Sequence, residues 1–286
     1  MNGIRVQGVV FGTVALVVSG VSFFVTQGSS IRQLIILALM VFMLGVPHGA
    51  LDPLFAIKLL RIRDKKGWFK FVLLYTALVL FIIDLWLLWP LFFMFCFLTM
   101  SALHFSRDLT LSTPLIIKVL YGGAVIVLPN LLHRLKMIHL FSTILEPASA
   151  EMVTSTLHVL AIPWALLLTV TIYSQFKRDK VQALEILALT LMAVCADPLI
   201  TFTTYFCLMH SLRHILRTHR FLSVSWTKML ATAAWPMATV GAVVWMYLRW
   251  IPTESEYSYT MQLVFVGLAA LTLPHMLLID QVRYSA

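Results

Sequence analysis

Ten long runs of apolar residues leave this chain few options other than helices that cross a membrane. They fall at roughly 8–26, 33–60, 69–88, 90–107, 113–131, 153–174, 181–196, 199–217, 227–248 and 259–281. A helix spanning a bilayer needs about 20 predominantly apolar residues. Only helices and closed barrels satisfy every backbone polar group there, and runs of this length read as helices. Charged residues make up 12% of the chain, against about 25% in an ordinary soluble domain. The expected fold is all-α, a polytopic transmembrane bundle of about 8–10 spans. Residues 1–286 are expected to form a single integral-membrane domain, with no room for a separate soluble one. Trp89-Pro90 and Asp197-Pro198 are the only joints within two pairs of runs, so either pair is compatible with a re-entrant hairpin.

Charge placement gives an orientation. With the N-terminus inside, the cytoplasmic segments hold 17 of the 21 Lys and Arg residues, and the outer side keeps Arg32, Arg134, Lys136 and Arg249. Lys58, Arg61, Arg63, Lys65, Lys66 and Lys70 form one inner group, and Arg213, Arg217, Arg220 and Lys228 another. The bias follows the positive-inside rule, with both termini cytoplasmic in a bacterial-type inner membrane. The net charge of +9 then reflects topology and calls for no nucleic acid. Cys96, Cys195 and Cys207 lie in apolar runs without CxxC spacing and read as inert thiols. The run after Arg5 has no small-residue cleavage site and reads as a retained span. Residues 132–151 and 249–257, with Pro252 and Glu254, read as solvated or interfacial outer connections with no catalytic role. No phosphate-binding Gly-rich loop and no HExxH motif is present.

Within this apolar frame a few ionisable groups stand out. Gly45-Val46-Pro47-His48-Gly49-Ala50-Leu51-Asp52 places a histidine and a carboxylate four residues apart. His104 and Asp108 repeat the spacing, and His210 and His214 repeat it with two histidines. Intramembrane ionisable groups are functional by default because burying them in lipid is costly. A single such histidine often only hydrogen-bonds to a neighbouring helix. Four, each toward the inner end of a span running from outside to inside, imply convergence at one depth. His210 and His214 share a face, since i and i+4 are neighbours on a helix. Neutral imidazoles at one level suit iron, zinc, copper or nickel.

Asp52 and Asp108 are expected to accept the second ring N–H of ligating histidines, with direct ligation as the other option and an Arg107 pair as another for Asp108. His275, after Pro274, is expected in the pocket or behind a ligand, with Asp280 five residues on. His133, His139, His158 and His219 fall at span ends or in loops. Phe42, Met43, Phe55, Phe105, Phe202, Tyr205, Phe206 and Met209 crowd the same region. If the site faces a cavity, they would make it dry and apolar, suited to a long hydrophobic substrate entering from the lipid bilayer.

Pro47-His48-Gly49-Ala50-Leu51-Asp52, Ser101-Ala102-Leu103-His104-Phe105, His210-Ser211-Leu212-Arg213-His214 and Leu273-Pro274-His275 resemble the signature motifs of the Brp/Blh family. These are membrane-embedded β-carotene 15,15′-dioxygenases that supply retinal to microbial rhodopsins. The resemblance runs from about residue 40 to 280. It implies a non-haem Fe(II) bound by His48, His104, His210 and His214, with O2 and β-carotene as substrates and a rhodopsin as possible recipient of retinal. The chain departs from the pattern at Ser106-Arg107-Asp108, where a glycine-containing turn is expected, and at Pro53, where relatives often carry histidine. The competing reading is a membrane metal-ion or proton transporter using the histidines as a transit site. Internal repeats and broken helices would mark that class, and no convincing repeat of halves is visible. A retinal-binding protein would need a lysine deep in a late span, and none follows Lys228.

Overall fold

The computed structural model describes residues 3–24, 31–110, 112–250 and 256–279. These residues are helical with short connections, and no strand occurs among them. Pro252, Glu254, Asp280 and Arg283 lie outside the described residues. Seven helices are long and apolar enough to cross a membrane. An eighth span results if Leu115–Leu131 and Arg134–Ser142, bent by 107° to each other, count as one.

The shortfall from ten spans has a local cause in the late part of the chain. The run 181–196 is helix α9 (Lys180–Cys195), only 16 residues long. The run 199–217 is split into α10 (Pro198–Thr204), a wide π-helical turn (Tyr205–Ser211) and α11 (Leu212–Leu222). Arg213, Arg217 and Arg220 in α11 lower its apolarity further. Residues 132–151, expected as a solvated or interfacial connection, contain α7 (Arg134–Ser142). Met137, Phe141, Ile144 and Leu145 are buried there in a core shared with α8 (Pro147–Phe176).

Helix ends follow ordinary capping chemistry. Asp64 accepts from the Gly67 N–H to open α4 (Lys65–Leu88), and Asp179 accepts from Val181 and Gln182 to open α9. Pro90 begins α5 (Pro90–Phe105), where its missing N–H has no helical partner to lose. α4 and α12 (Trp226–Arg249) bury few side chains against the rest. Phe69, Leu74, Leu230 and Trp235 stand well exposed on them, as on helices that face lipid.

Close crossings occur at small residues, as expected where packing rather than hydrophobicity joins helices. Gly8 and Gly12 of α1 (Gly3–Phe24) meet Glu185 and Leu184 of α9. Gly122 of α6 (Leu115–Val127) lies on the α5 backbone, where an added Cβ would sit 2.2 Å from the Ala102 carbonyl oxygen. Arg213, counted above with the inner charges, is instead buried. Its guanidinium donates to both oxygens of buried Glu185 at 2.7 and 3.1 Å and to Gln7 at 2.8 Å.

Candidate metal centre

His48 reaches the interior from a stretch that is not regular α-helix. α2 (Ile31–Met40) continues into a π-helical turn, Val41–Gly45, then a 3-10 turn, Val46–Leu51, before α3 (Asp52–Leu59). Pro47 lies at the start of the 3-10 turn, where it needs no N–H partner. A second wide turn, Tyr205–Ser211, packs against the first. Turns of this kind concentrate at functional sites and leave carbonyls without their usual helical partners. Those carbonyls are reused. Ser211 Oγ donates to Leu44 O and Gly45 O, each at 2.8 Å, and His48 Nδ1 lies 2.6 Å from Gly45 O.

That last contact determines a tautomer. A carbonyl only accepts, so Nδ1 of His48 carries the proton and the Nε2 lone pair is left for another partner. Two further histidines repeat the logic with carboxylates. His275 Nδ1 is 2.7 Å from Asp52 Oδ1, and His210 Nδ1 is 3.1 Å from both oxygens of Asp108. Each carboxylate also receives a phenol: Tyr75 donates to Asp52 Oδ2 at 3.0 Å and Tyr205 to Asp108 Oδ2 at 2.6 Å. Each aspartate therefore serves a histidine from another helix, not the one four residues before it. The non-α backbone after His48, and the short 3-10 turn Ser106–Asp108 after His104, break the i,i+4 register.

The imidazoles converge. One ligand atom each from His48, His104 and His275 lies within 4.8 Å of the other two, and this buried group could hold a metal ion. The rings of His210 and His214 close around it. His210 is 4.5 Å from His104 and 5.0 Å from His48 by ring centroids, and His214 is 5.6 Å from His48 and 5.2 Å from His275. All five are less than a tenth exposed. Nε2 of His210, Nε2 of His275 and Nδ1 of His104 are buried without a hydrogen-bond partner among the described residues. A buried polar atom left unmatched costs about 1–3 kcal/mol. Several in one place, all imidazole nitrogens, are a donor set that suits a borderline transition-metal ion.

The remaining histidines stand apart. His158 Nδ1 meets the Asn130 carbonyl at 2.8 Å, His219 stacks on Trp226, and His139 lies beside Tyr257.

An apolar cavity begins one turn along α5 from the cluster. Ser101 and Phe105, flanking His104, line it with Phe97, Phe202 and Phe265. The other residues expected at a pocket are distributed differently. Phe206 does not line the cavity but stacks on Phe202 at 5.4 Å and on His210 at 5.7 Å, linking a cavity wall to the histidines. Phe55, fully buried, lies between His214 and Phe221 on the opposite side. Tyr205 and Met209 are buried in packing, Phe42 lies near Gly241, and Met43 is 61% exposed on the outer surface.

Sequence reasoning missed Tyr75, Ser211, Gln7 and Glu185. A signal existed for Tyr75, a phenol in the middle of an apolar helix, since a buried tyrosine hydroxyl usually finds a partner. Glu185 in an apolar run called equally for one.

Fold and site together define a polytopic helical membrane protein built around a buried histidine cluster beside an apolar cavity. The family model for β-carotene 15,15′-dioxygenases matches residues 39–282, and the chain belongs to that family. It is 32% identical over 258 residues to a β-carotene 15,15′-dioxygenase from uncultured marine bacterium 66A03, covering 85% of this chain and 91% of the relative. No solved structure matches.

Proposed function

We propose that the chain cleaves the central 15,15′ double bond of β-carotene with O2, giving two molecules of retinal, at a ferrous ion held by the histidine cluster. The observation that carries the reading is the set of unpartnered ring nitrogens on His104, His210 and His275, buried beside His48 and His214. His48, His104 and His275 would hold the ion, with His210 and His214 completing the shell. When bound, ferrous iron supplies the activation of O2 that a spin-paired alkene cannot achieve unaided.

The chain's own residues do the rest. Asp52, Asp108 and the Gly45 carbonyl keep the second ring nitrogens of three histidines protonated, so that their lone pairs face inward. Phe55, Phe105 and Phe206 exclude water from the centre. The cavity lined by Phe97, Phe202 and Phe265 receives one arm of an apolar polyene and orients it past His104. Orientation follows the basic segments, with both termini on the cytoplasmic side of a bacterial inner membrane and retinal available to a rhodopsin.

The test is expression in β-carotene-producing bacteria, with pigment extraction and metal analysis of the purified protein. Loss of carotene, appearance of retinal and about one iron per chain are expected. Bound iron with intact β-carotene would remove β-carotene as the substrate. Absence of both iron and cleavage would refute the assignment and favour transport.

A further inference from the structure

The two aspartates of the centre are held in matching ways by residues far apart in sequence. Asp52 lies between His275 and Tyr75, and Asp108 lies between His210 and Tyr205. In each, a phenol donates to the carboxylate and the carboxylate accepts from Nδ1 of a histidine whose Nε2 is otherwise unpartnered. The aspartates are 2% and 3% exposed, so water does not supply these contacts. Tyr205 is fully buried, its ring held by Phe11, Phe105 and Tyr121. Each phenol's hydrogen bond goes to the aspartate that backs its histidine, so it acts on that histidine through the carboxylate.

We propose that Tyr75 and Tyr205 are positioning residues that keep the bound iron ferrous by limiting how strongly Asp52 and Asp108 draw on their histidines. The inference rests on the iron site proposed above. A carboxylate that accepts a strong Nδ1–H bond gives the imidazole anionic character and makes Nε2 a stronger donor. A stronger donor favours the ferric ion, the form that cannot begin O2 activation. A phenol on the same carboxylate shares its negative charge and weakens that pull. Tyr205, with the 2.6 Å contact, should act more strongly than Tyr75 at 3.0 Å.

The experiment compares iron-loaded wild type with Tyr75→Phe, Tyr205→Phe, Asp108→Asn and the double variant Tyr205→Phe/Asp108→Asn. The readouts are the ferric/ferrous midpoint potential and the fraction of ferric signal by electron paramagnetic resonance after exposure to air. Both phenylalanine variants should bind iron, with a lower midpoint and more ferric signal than wild type, Tyr205→Phe most. Asp108→Asn should raise the midpoint, and adding Tyr205→Phe should then change nothing, because the route through the carboxylate is gone. The cycle separates this route from packing, which would persist in the double variant. Unchanged potentials in both phenylalanine variants of an iron-binding protein would overturn the inference alone. So would a Tyr205→Phe shift of equal size in the Asp108→Asn background. A wild-type chain that binds no iron would overturn both this inference and the site beneath it.

Discussion

Gly45 is the point where the two wide turns meet, and adding one methyl group there tests how the site is built. Its backbone lies in the right-handed helical region, φ −84° and ψ −64°, which alanine adopts freely. On backbone grounds alone, Gly45→Ala should stabilise by about 0.4–1 kcal/mol. The structure opposes that gain. An added Cβ would lie 2.4 Å from Phe206 Cε1 and 2.7 Å from Cδ1, so the ring must move by more than 1 Å to restore ordinary contact of about 3.5–4 Å. It cannot slide freely, because it is stacked between Phe202 and His210 and edge-on to His48. Overpacking of a filled core costs about 1–3 kcal/mol. The net loss should be about 1.3 kcal/mol at mid-range and up to about 2.6 kcal/mol, with the displacement carried into His210 and His48.

The assay is thermal unfolding of the detergent-solubilised protein alongside iron content. Gly45→Ala should unfold several degrees lower and retain less iron. The double variant Gly45→Ala/Phe206→Leu should recover stability, because leucine lacks the ring edge that collides. Wild-type stability and full iron in Gly45→Ala would refute the argument that contact between the two turns places the histidines.

Three further outcomes follow from the same geometry. His275→Ala should lose iron as completely as His48→Ala or His104→Ala, since the three offer donor atoms within 4.8 Å of one another; full iron retention, read by metal analysis, would exclude it from the ligands. Asp52→Asn should weaken ferrous binding by about 10–100-fold, a smaller effect than loss of any ligand, and a metal titration measures it. Phe265→Trp should narrow the cavity without touching a histidine, so cleavage in carotene-producing cells should fall while bound iron stays at the wild-type level.

Much of the architecture was legible in residue order. The apolar runs named most of the helices, and the joints Trp89-Pro90 and Asp197-Pro198 marked two of their starts. Span number was less legible, because hydropathy cannot show where a run of apolar residues is broken. The π turn at Tyr205–Ser211 lies in a run, 199–217, that looks continuous, whereas the sixteen residues of α9 match the length of the run 181–196. The α7 segment, expected only as a solvated or interfacial connection, forms a helix with one buried face. Its arginine, lysine and histidine suggest solvent, while Met137 and Phe141 are buried by partners distant in sequence.

For the site, sequence by itself determined the cast. Histidines and aspartates inside apolar runs are costly unless they meet one another or a metal, so their presence announced a polar centre. Which aspartate serves which histidine was decided only by tertiary structure. Asp52 pairs with His275 across 223 positions and Asp108 with His210 across 102. The spacing rule that suggested pairing within a helix holds only for regular α-helix. The backbone here departs from it after His48 and after His104, and those departures turn the carboxylates toward other helices.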